Sequence, residues 1–283
     1  MKLNEILRNG FEVLKTNGIE DYTIIAKELL LYILKKPKTY LIINQYEEIS
    51  QEICNKYNEL LDEIIKGKPL QYITNNQEFM KMNFCVDENV LIPQPDTEVL
   101  VEKVLKIAKI YYNGEIKILD LCTGSGAIAV ALDKNINIQN KKIYASDISS
   151  KALEVAKKNA KNNNSAIIFV QSDMFENLKK YKFDIIVSNP PYIKKDIIST
   201  LSKQVQNEPI IALDGGEDGL YFYKQIAKNA ARNINKNGFL CLEIGFDQAE
   251  DVKKILKETN YYKNIEIIKD LSGNDRCVIS QKE

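Results

Sequence analysis

The sequence predicts an α/β fold: a mainly parallel sheet with helices on both faces, preceded by a small all-helical region and finished by an antiparallel hairpin. Three patterns carry that prediction. From residue 116 onward, short apolar runs at 116–121, 143–146, 167–170, 183–188 and 239–244 alternate with helical patterns, the arrangement that builds parallel βαβ units. Before about residue 68, apolar residues recur at helical spacing instead. Near the end, strand-like pieces at 265–268 and 277–280 are joined through Ser272-Gly273-Asn274-Asp275, a hairpin signal.

Taken in order, Leu3, Ile6, Leu7 and Leu14 share one helical face, and Gly18 ends the segment. A second helix is expected over 22–36, with Asp21 as its N-cap and Pro37 as its stop. A third carries Ile53, Tyr57, Leu60, Leu61, Ile64 and Ile65, opened by Ser50 and closed by Gly67 and Pro69. Short helices with one apolar face must pack on each other, so residues 1–70 read as a bundle without chemistry of its own. Residues 71–92 change to short β-type pieces, among them Asn83-Phe84-Cys85-Val86, and read as a connector with a hairpin. The stretch Leu91-Ile92-Pro93-Gln94-Pro95-Asp96-Thr97-Glu98 then leads into a helix over 99–110 and opens the main domain, 93–283.

Composition narrows the function classes. The 283 residues are 45% hydrophobic and 28% charged, as in globular proteins that dissolve in water. Basic and acidic residues balance at 39 each, so the basic excess of a protein that grips many phosphates is missing and no stable nucleic-acid binding is expected. Five scattered cysteines without a C-x-x-C pair point to reduced thiols, not to a disulfide framework or a zinc site. There is no histidine, which removes imidazole from any catalytic or metal proposal, and no metal is expected. The amino terminus is amphipathic and the longest apolar stretch, around 29–34, is far short of a membrane span. The expectation is a soluble cytoplasmic protein.

The chemistry gathers at strand ends, where open α/β sheets bind their ligands. The first strand runs into Asp120-Leu121-Cys122-Thr123-Gly124-Ser125-Gly126, with a helix from Ala127; glycines there let backbone approach a ligand at a helix N-terminus. Asp147 ends the next strand, about 20 residues on, the position of a ribose-binding acid. Ser172-Asp173-Met174-Phe175 follows the third strand, offering a carboxylate to an exocyclic amine and a thioether to a ring face. After the fourth strand comes Asn189-Pro190-Pro191-Tyr192. Neither proline can donate a hydrogen bond, so the turn is stiff, its carbonyls are free acceptors, and it suits a planar group bearing NH₂. Singly these signals are weak. Gly124-Ser125-Gly126-Ala127-Ile128-Ala129 also fits the loose dinucleotide pattern of an NAD enzyme, and each acid could simply cap a helix. In this order they describe one adenosine-shaped pocket with an amide- or amine-reading turn beside it.

At this point the chain resembles a class I methyltransferase using S-adenosylmethionine, Rossmann-like in fold. The asparagine-led turn is shared by glutamine-amide and adenine-amine methyltransferases, but the flanking segments separate them. Gly67-Lys68-Pro69-Leu70-Gln71-Tyr72-Ile73, Glu78-Phe79, the segment 91–98, Glu208-Pro209, the segment 212–220 and Glu243-Ile244-Gly245 resemble the HemK/PrmC family over nearly the whole chain. The resemblance implies methyl transfer to the glutamine of the Gly-Gly-Gln motif in peptide chain release factors, with residues 1–70 as a substrate-docking domain. It implies that Cys122, Thr123, Gly124, Ser125 and Gly126 surround the methionine part of the cofactor, with Asp147 on the ribose and Asp173 and Met174 at the adenine. Asn189 borders both cofactor and substrate; Asn189, Pro190 and Tyr192 are the implied catalytic residues, and Pro191 completes the substrate turn. Asp120 stands either near the methionine ammonium or as support for the loop; Asp96-Thr97-Glu98 either border the pocket or cap a helix. Two positions depart from the family: Gln94 where Arg is usual, and Cys122 where Gly is usual.

Overall fold

The computed structural model describes residues 1–283. The chain divides into two compact units, residues 1–75 with 202–207 and residues 76–201 with 208–283.

In the first unit, α1 (Leu3–Thr16) buries Leu3, Ile6, Gly10 and Leu14. Gly18 follows at φ 76, a left-handed turn that glycine adopts without strain. The second helix, α2 (Tyr22–Leu34), buries Ile25, Ala26, Leu29, Leu30 and Leu31. Asp21 occupies its N-cap position but makes no side-chain capping bond, and the helix stops two residues before the expected end because Lys35 turns left-handed. A short α3 (Tyr40–Ile43) precedes α4 (Gln51–Ile65), where Ser50 accepts from the Ile53 amide at 3.4 Å as a true N-cap. A further short helix, α5 (Leu70–Thr74), starts directly after Pro69, a position before the first helical turn that the missing proline N–H does not harm. Tyr57 of α4 is fully buried and donates its hydroxyl to the Ala26 carbonyl at 3.0 Å. Its ring fills the hollow over Gly10, so α1, α2 and α4 meet at one aromatic side chain.

The second unit starts with an antiparallel hairpin of β1 (Gln77–Phe79) and β2 (Met82–Phe84). Its turn residues, Met80 and Lys81, both have positive φ, the requirement of a two-residue hairpin turn. The Met80 amide donates to Glu98 Oε1 at 2.6 Å, which supports a turn lacking glycine. Cys85 and Val86, expected in the strand, lie outside it: the Cys85 amide donates to Asn159 Oδ1 at 2.7 Å instead of to a ladder. The sheet follows as α6 (Thr97–Tyr111), β3 (Glu115–Leu121), α7 (Ala127–Asn135), β4 (Asn140–Asp147), α8 (Ser150–Asn162), β5 (Ile167–Gln171) and β6 (Phe183–Ser188). After α9 (Lys203–Gln206), which belongs to the first unit, come α10 (Ile210–Leu213), α11 (Tyr221–Asn233), β7 (Ile234–Glu243), α12 (Ala249–Glu258), β8 (Tyr262–Lys269) and β9 (Asp275–Lys282).

Seven strands form one sheet in the order β5-β4-β3-β6-β7-β9-β8. The first five are parallel, and β9 runs antiparallel to both β7 and β8. This is the expected class I methyltransferase fold with its closing hairpin. Alternate residues of the central strands enter opposite cores, Ile118, Ile185, Val187 and Cys241 with α6 and α7, and Leu119, Ile186, Leu240 and Leu242 with α11 and α12. The chain leaves β3 toward β4 and later returns to its other side as β6. That reversal opens a crevice at the carboxyl ends of β3 and β6, where such sheets bind ligands.

A Cβ on Gly10 would overlap the buried Tyr57 hydroxyl. Gly10→Ala is therefore expected to lose about 1–2 kcal/mol in urea denaturation of the full chain, overpacking outweighing the better helix propensity of alanine.

Candidate active site

The loop after β3 turns left-handed at three of five residues: Cys122 (φ 62), Gly124 (φ 52) and Gly126 (φ 80). Two are glycines, but Cys122 carries a Cβ, a strain of about 1–2 kcal/mol. Asp120, fully buried, holds the loop: its Oδ2 accepts from the Thr123 hydroxyl and from the Ala129 amide at 3.1 Å. Burial pushes the Asp120 carboxyl up to about 7 against those two donors. Asp120 thus orders the loop and anchors it to the first turn of α7.

Asp147 closes the next wall. Its Oδ2 accepts from the Gly124 amide and its Oδ1 from the Ser149 amide, both at 2.9 Å. Burial raises its carboxyl above the ordinary range, while the backbone donors of Ser149, Gly124 and Ile148 act to lower it. Each carboxylate oxygen keeps lone-pair capacity for a hydroxyl donor. Beyond β5, Ser172 Oγ accepts from the Asn177 amide at 3.0 Å and donates to the Met174 carbonyl at 2.9 Å. Those bonds hold Met174 at φ 43, beside the exposed carboxylate of Asp173.

The turn after β6 is half-buried at Asn189 and Tyr192 and buried at both prolines. Asn189 Nδ2 donates to Thr97 Oγ1 at 3.3 Å, which leaves Oδ1 as the side chain's free acceptor. Beyond the prolines, Gln248 Nε2 donates to the Tyr192 carbonyl at 2.9 Å. The Ile193 amide donates to the Leu213 carbonyl at 2.9 Å, and the Gly215 amide to the Ile193 carbonyl at 2.8 Å. A Cβ on Gly215 would fall 2.7 Å from Tyr192 Cα, so only glycine permits this backbone approach.

These loops enclose a cavity of about 310 Å³, walled by Cys122, Gly124, Asp147, Asp173, Met174, Asn189 and Pro191, with Ile211, Tyr221 and Phe222 at its apolar side. Thr123, Ser125, Gly126, Pro190 and Tyr192 do not line it. Thr123 and Ser125 are buried behind the loop, and Gly126 packs against Ala156. Burial and the Asp147 charge push the Cys122 thiol up and keep it neutral, so the wall presents no thiolate.

Comparison with known proteins gives the family. The Methyltransferase small domain family matches residues 95–261, and the PrmC N-terminal domain matches residues 5–74. A release factor glutamine methyltransferase of Clostridium acetobutylicum is 39% identical over 99% of this chain and 98% of its own. One from Clostridium botulinum is 40% identical over the whole of both chains. The chain belongs to the release factor glutamine methyltransferase family. For the fold alone, a methyltransferase structure from Pyrococcus furiosus aligns with a TM-score of 0.53 at 20% identity, over 80% of this chain and 98% of that one. Residues 1–283 contain no helix long and apolar enough to cross a membrane.

The segments that carry the family resemblance have structural work in this methyltransferase. Asp96 stands at the N-cap position of α6 without capping it; its carboxylate pairs with Arg276 at 3.0 Å. Thr97 meets Asn189, and Glu98 holds the β1–β2 turn. Glu208 Oε2 accepts from the Ile92 amide at 2.9 Å, and burial pushes its carboxyl up to about 7. Asp214 Oδ1 accepts from the Gly216 amide at 2.8 Å and shapes the turn under Tyr192. Gln94 is exposed and donates to the Ile92 carbonyl at 3.0 Å, while the cation paired with Asp96 comes from Arg276 on β9. Sequence reasoning missed Gln248 and Arg276, because their partners lie 56 and 180 residues away and no local pattern marks them.

Gly215→Ala should displace the Tyr192 backbone and lower methyl transfer by roughly tenfold or more, since small misplacements near a reacting group are costly. Steady-state assay with labelled methyl donor checks this; wild-type turnover would mean that the turn does not need the close approach.

Proposed function

We propose that this chain transfers the methyl group of S-adenosylmethionine to the side-chain amide nitrogen of the glutamine in the Gly-Gly-Gln motif of peptide chain release factors. The single observation that carries this reading is the Asn189 carboxamide at the cavity wall, its Nδ2 engaged by Thr97 and its Oδ1 left to accept. Such a group reads an NH₂ donor, the feature that distinguishes a glutamine amide from a carboxylate. The balanced charge of the chain supports a protein acceptor over a nucleic acid.

The cavity fits the cofactor's chemistry. Asp147 meets ribose hydroxyls, Asp173 and Met174 take the adenine edge and face, and the residues 122–126 loop holds the methionine part, with Thr123, Ser125 and Gly126 supporting it from behind. When bound, S-adenosylmethionine supplies a methyl carbon on a sulfonium, already an excellent leaving group. Asn189 Oδ1 on the cavity wall and the Pro190 carbonyl from outside that wall accept the two N–H bonds of the substrate amide and aim its nitrogen at that carbon. They also stabilise positive charge as it develops on nitrogen. Pro191 keeps the turn rigid, and Tyr192 restricts rotation of the planar amide. The new N–C bond forms as the S–C bond breaks, and the extra proton on nitrogen leaves to water. Orientation and exclusion of water supply the acceleration; no histidine or metal is required. The helical unit, residues 1–75 with 202–207, serves as a docking surface, since a protein substrate needs contacts beyond one amide. Release factors work in the cytoplasm, and that is the compartment we assign.

Mass spectrometry of a release factor incubated with enzyme and donor should show one added methyl on the Gly-Gly-Gln glutamine; an unmodified factor alongside methylated nucleic acid would overturn the acceptor. Asn189→Ala should lower kcat by at least about 100-fold while calorimetry shows donor affinity little changed. Asp147→Ala should act the other way, weakening donor binding by about 10–100-fold, the value of hydrogen bonds to a charged group. Unchanged donor affinity would remove Asp147 from the ribose.

A further inference from the structure

The catalytic turn has a neighbour that the proposed chemistry leaves without a role. Glu243 ends β7, and because Ser188 pairs with Leu242 across the parallel ladder, Glu243 stands level with Asn189. It is only 2% exposed, and its Oε2 has no hydrogen-bond partner. A buried carboxyl with an unpaired oxygen is costly to keep, and its place in the fold calls for a reason.

Its surroundings converge on Asn189. The ladder register sets Glu243 beside Asn189, and Thr97 and Asn189 both favour the charged form of its carboxyl. Thr97 Oγ1 itself receives Asn189 Nδ2 at 3.3 Å. Arg276 contributes an attractive charge, and Asp96 a repulsive one. Arg276 is in turn held by Asp96 at 3.0 Å and Asp270 at 3.1 Å. The Glu243 charge is felt at Tyr192, Tyr223 and Cys277, and the Tyr223 hydroxyl pins the Glu243 backbone carbonyl at 3.0 Å. Thr97 and Asn189, the two groups that favour its charged form by hydrogen bonding, thus belong to the turn or touch it.

We propose that Glu243 is a positioning residue for methyl transfer: with Thr97 it gathers the amide side of Asn189, so that Asn189 Oδ1 is presented to the substrate. This rests on the reading of Asn189 as the acceptor for the substrate amide. An asparagine side chain has two nearly isosteric orientations, and only one offers oxygen to an incoming NH₂. Thr97 alone does not decide between them, because a hydroxyl both donates and accepts. An ionised carboxylate accepts only, so Glu243 selects the orientation with nitrogen inward. Burial pushes the Glu243 carboxyl up to about 7, while Thr97, Arg276 and Asn189 all act to keep it charged.

Glu243→Gln tests this with little change in shape. Its amide can donate to Asn189, so it removes the selection and keeps the packing. The expected result is a kcat for release factor methylation at least tenfold lower, with KM for the release factor and donor Kd by calorimetry within twofold of wild type. Thr97→Val should show the same split, and it decides by the same criteria if Glu243→Gln does not fold. A purely structural role would lower stability or move KM and Kd without this selective fall in kcat. Wild-type kcat in both variants, or losses confined to KM or Kd, would overturn the proposal. Asn189→Ala, assayed beside them, separates the two readings. If it is inactive while both variants are normal, Glu243 alone is wrong; if it turns over normally, the acceptor role of Asn189 falls and this inference with it.

Discussion

Two prolines in succession remove two backbone donors from the turn after β6, and the surrounding structure is arranged to hold the backbone that remains. The Tyr192 carbonyl is taken by Gln248, and the residues beyond it by the segment 213–216, whose glycine lies almost against the Tyr192 backbone. Neither support is local to the turn. Together they convert a short irregular stretch, which would otherwise carry unsatisfied polar groups in a buried place, into a rigid wall of the cavity. The acceptor geometry of Asn189 depends on that rigidity.

The same economy of donors organises the other walls. Asp120 ties the glycine loop to α7, Asp147 ties it to β4, and Glu208 ties α10 to the segment before α6. In each case a carboxylate accepts from backbone amides that the loop cannot satisfy within itself. Burial raises all three carboxyls, and the donors oppose it. Asp120 and Glu208 therefore act chiefly through connection, whereas Asp147, also on the cavity wall, remains able to meet a ligand.

Two of the strained backbone positions shape the cavity. Cys122 and Met174 both hold positive φ without being glycine, and both line the wall. Such conformations persist when neighbouring contacts over-determine them: Met174 is held through Ser172, and Cys122 lies between Leu121, whose carbonyl accepts from Ser188, and Thr123, whose amide donates to Ser146. At Cys122 a side chain occupies a place that glycine would fill without strain, and its thiol stays neutral there.

Periodicity and turn chemistry were enough to reveal the seven sheet strands, the hairpin connector, three of the N-terminal helices and the loops that converge on the cavity, because each is a local property of a few consecutive residues. Boundaries moved where a distant partner intervened: Asn159 drew Cys85 out of its expected strand, and β7 began at Ile234 instead of Phe239 by pairing with Phe183 across a bulge. The roles of Asp120, Thr97 and Glu98 were ambiguous in the sequence, since an acid or hydroxyl near a helix start reads equally as a cap. Only the fold brought Thr97 to Asn189, Arg276 to Asp96 and Glu243 level with the Asn189–Tyr192 turn. A linear pattern records which groups can donate or accept; which of them meet is decided by strand order and register, and these join residues that the chain keeps far apart.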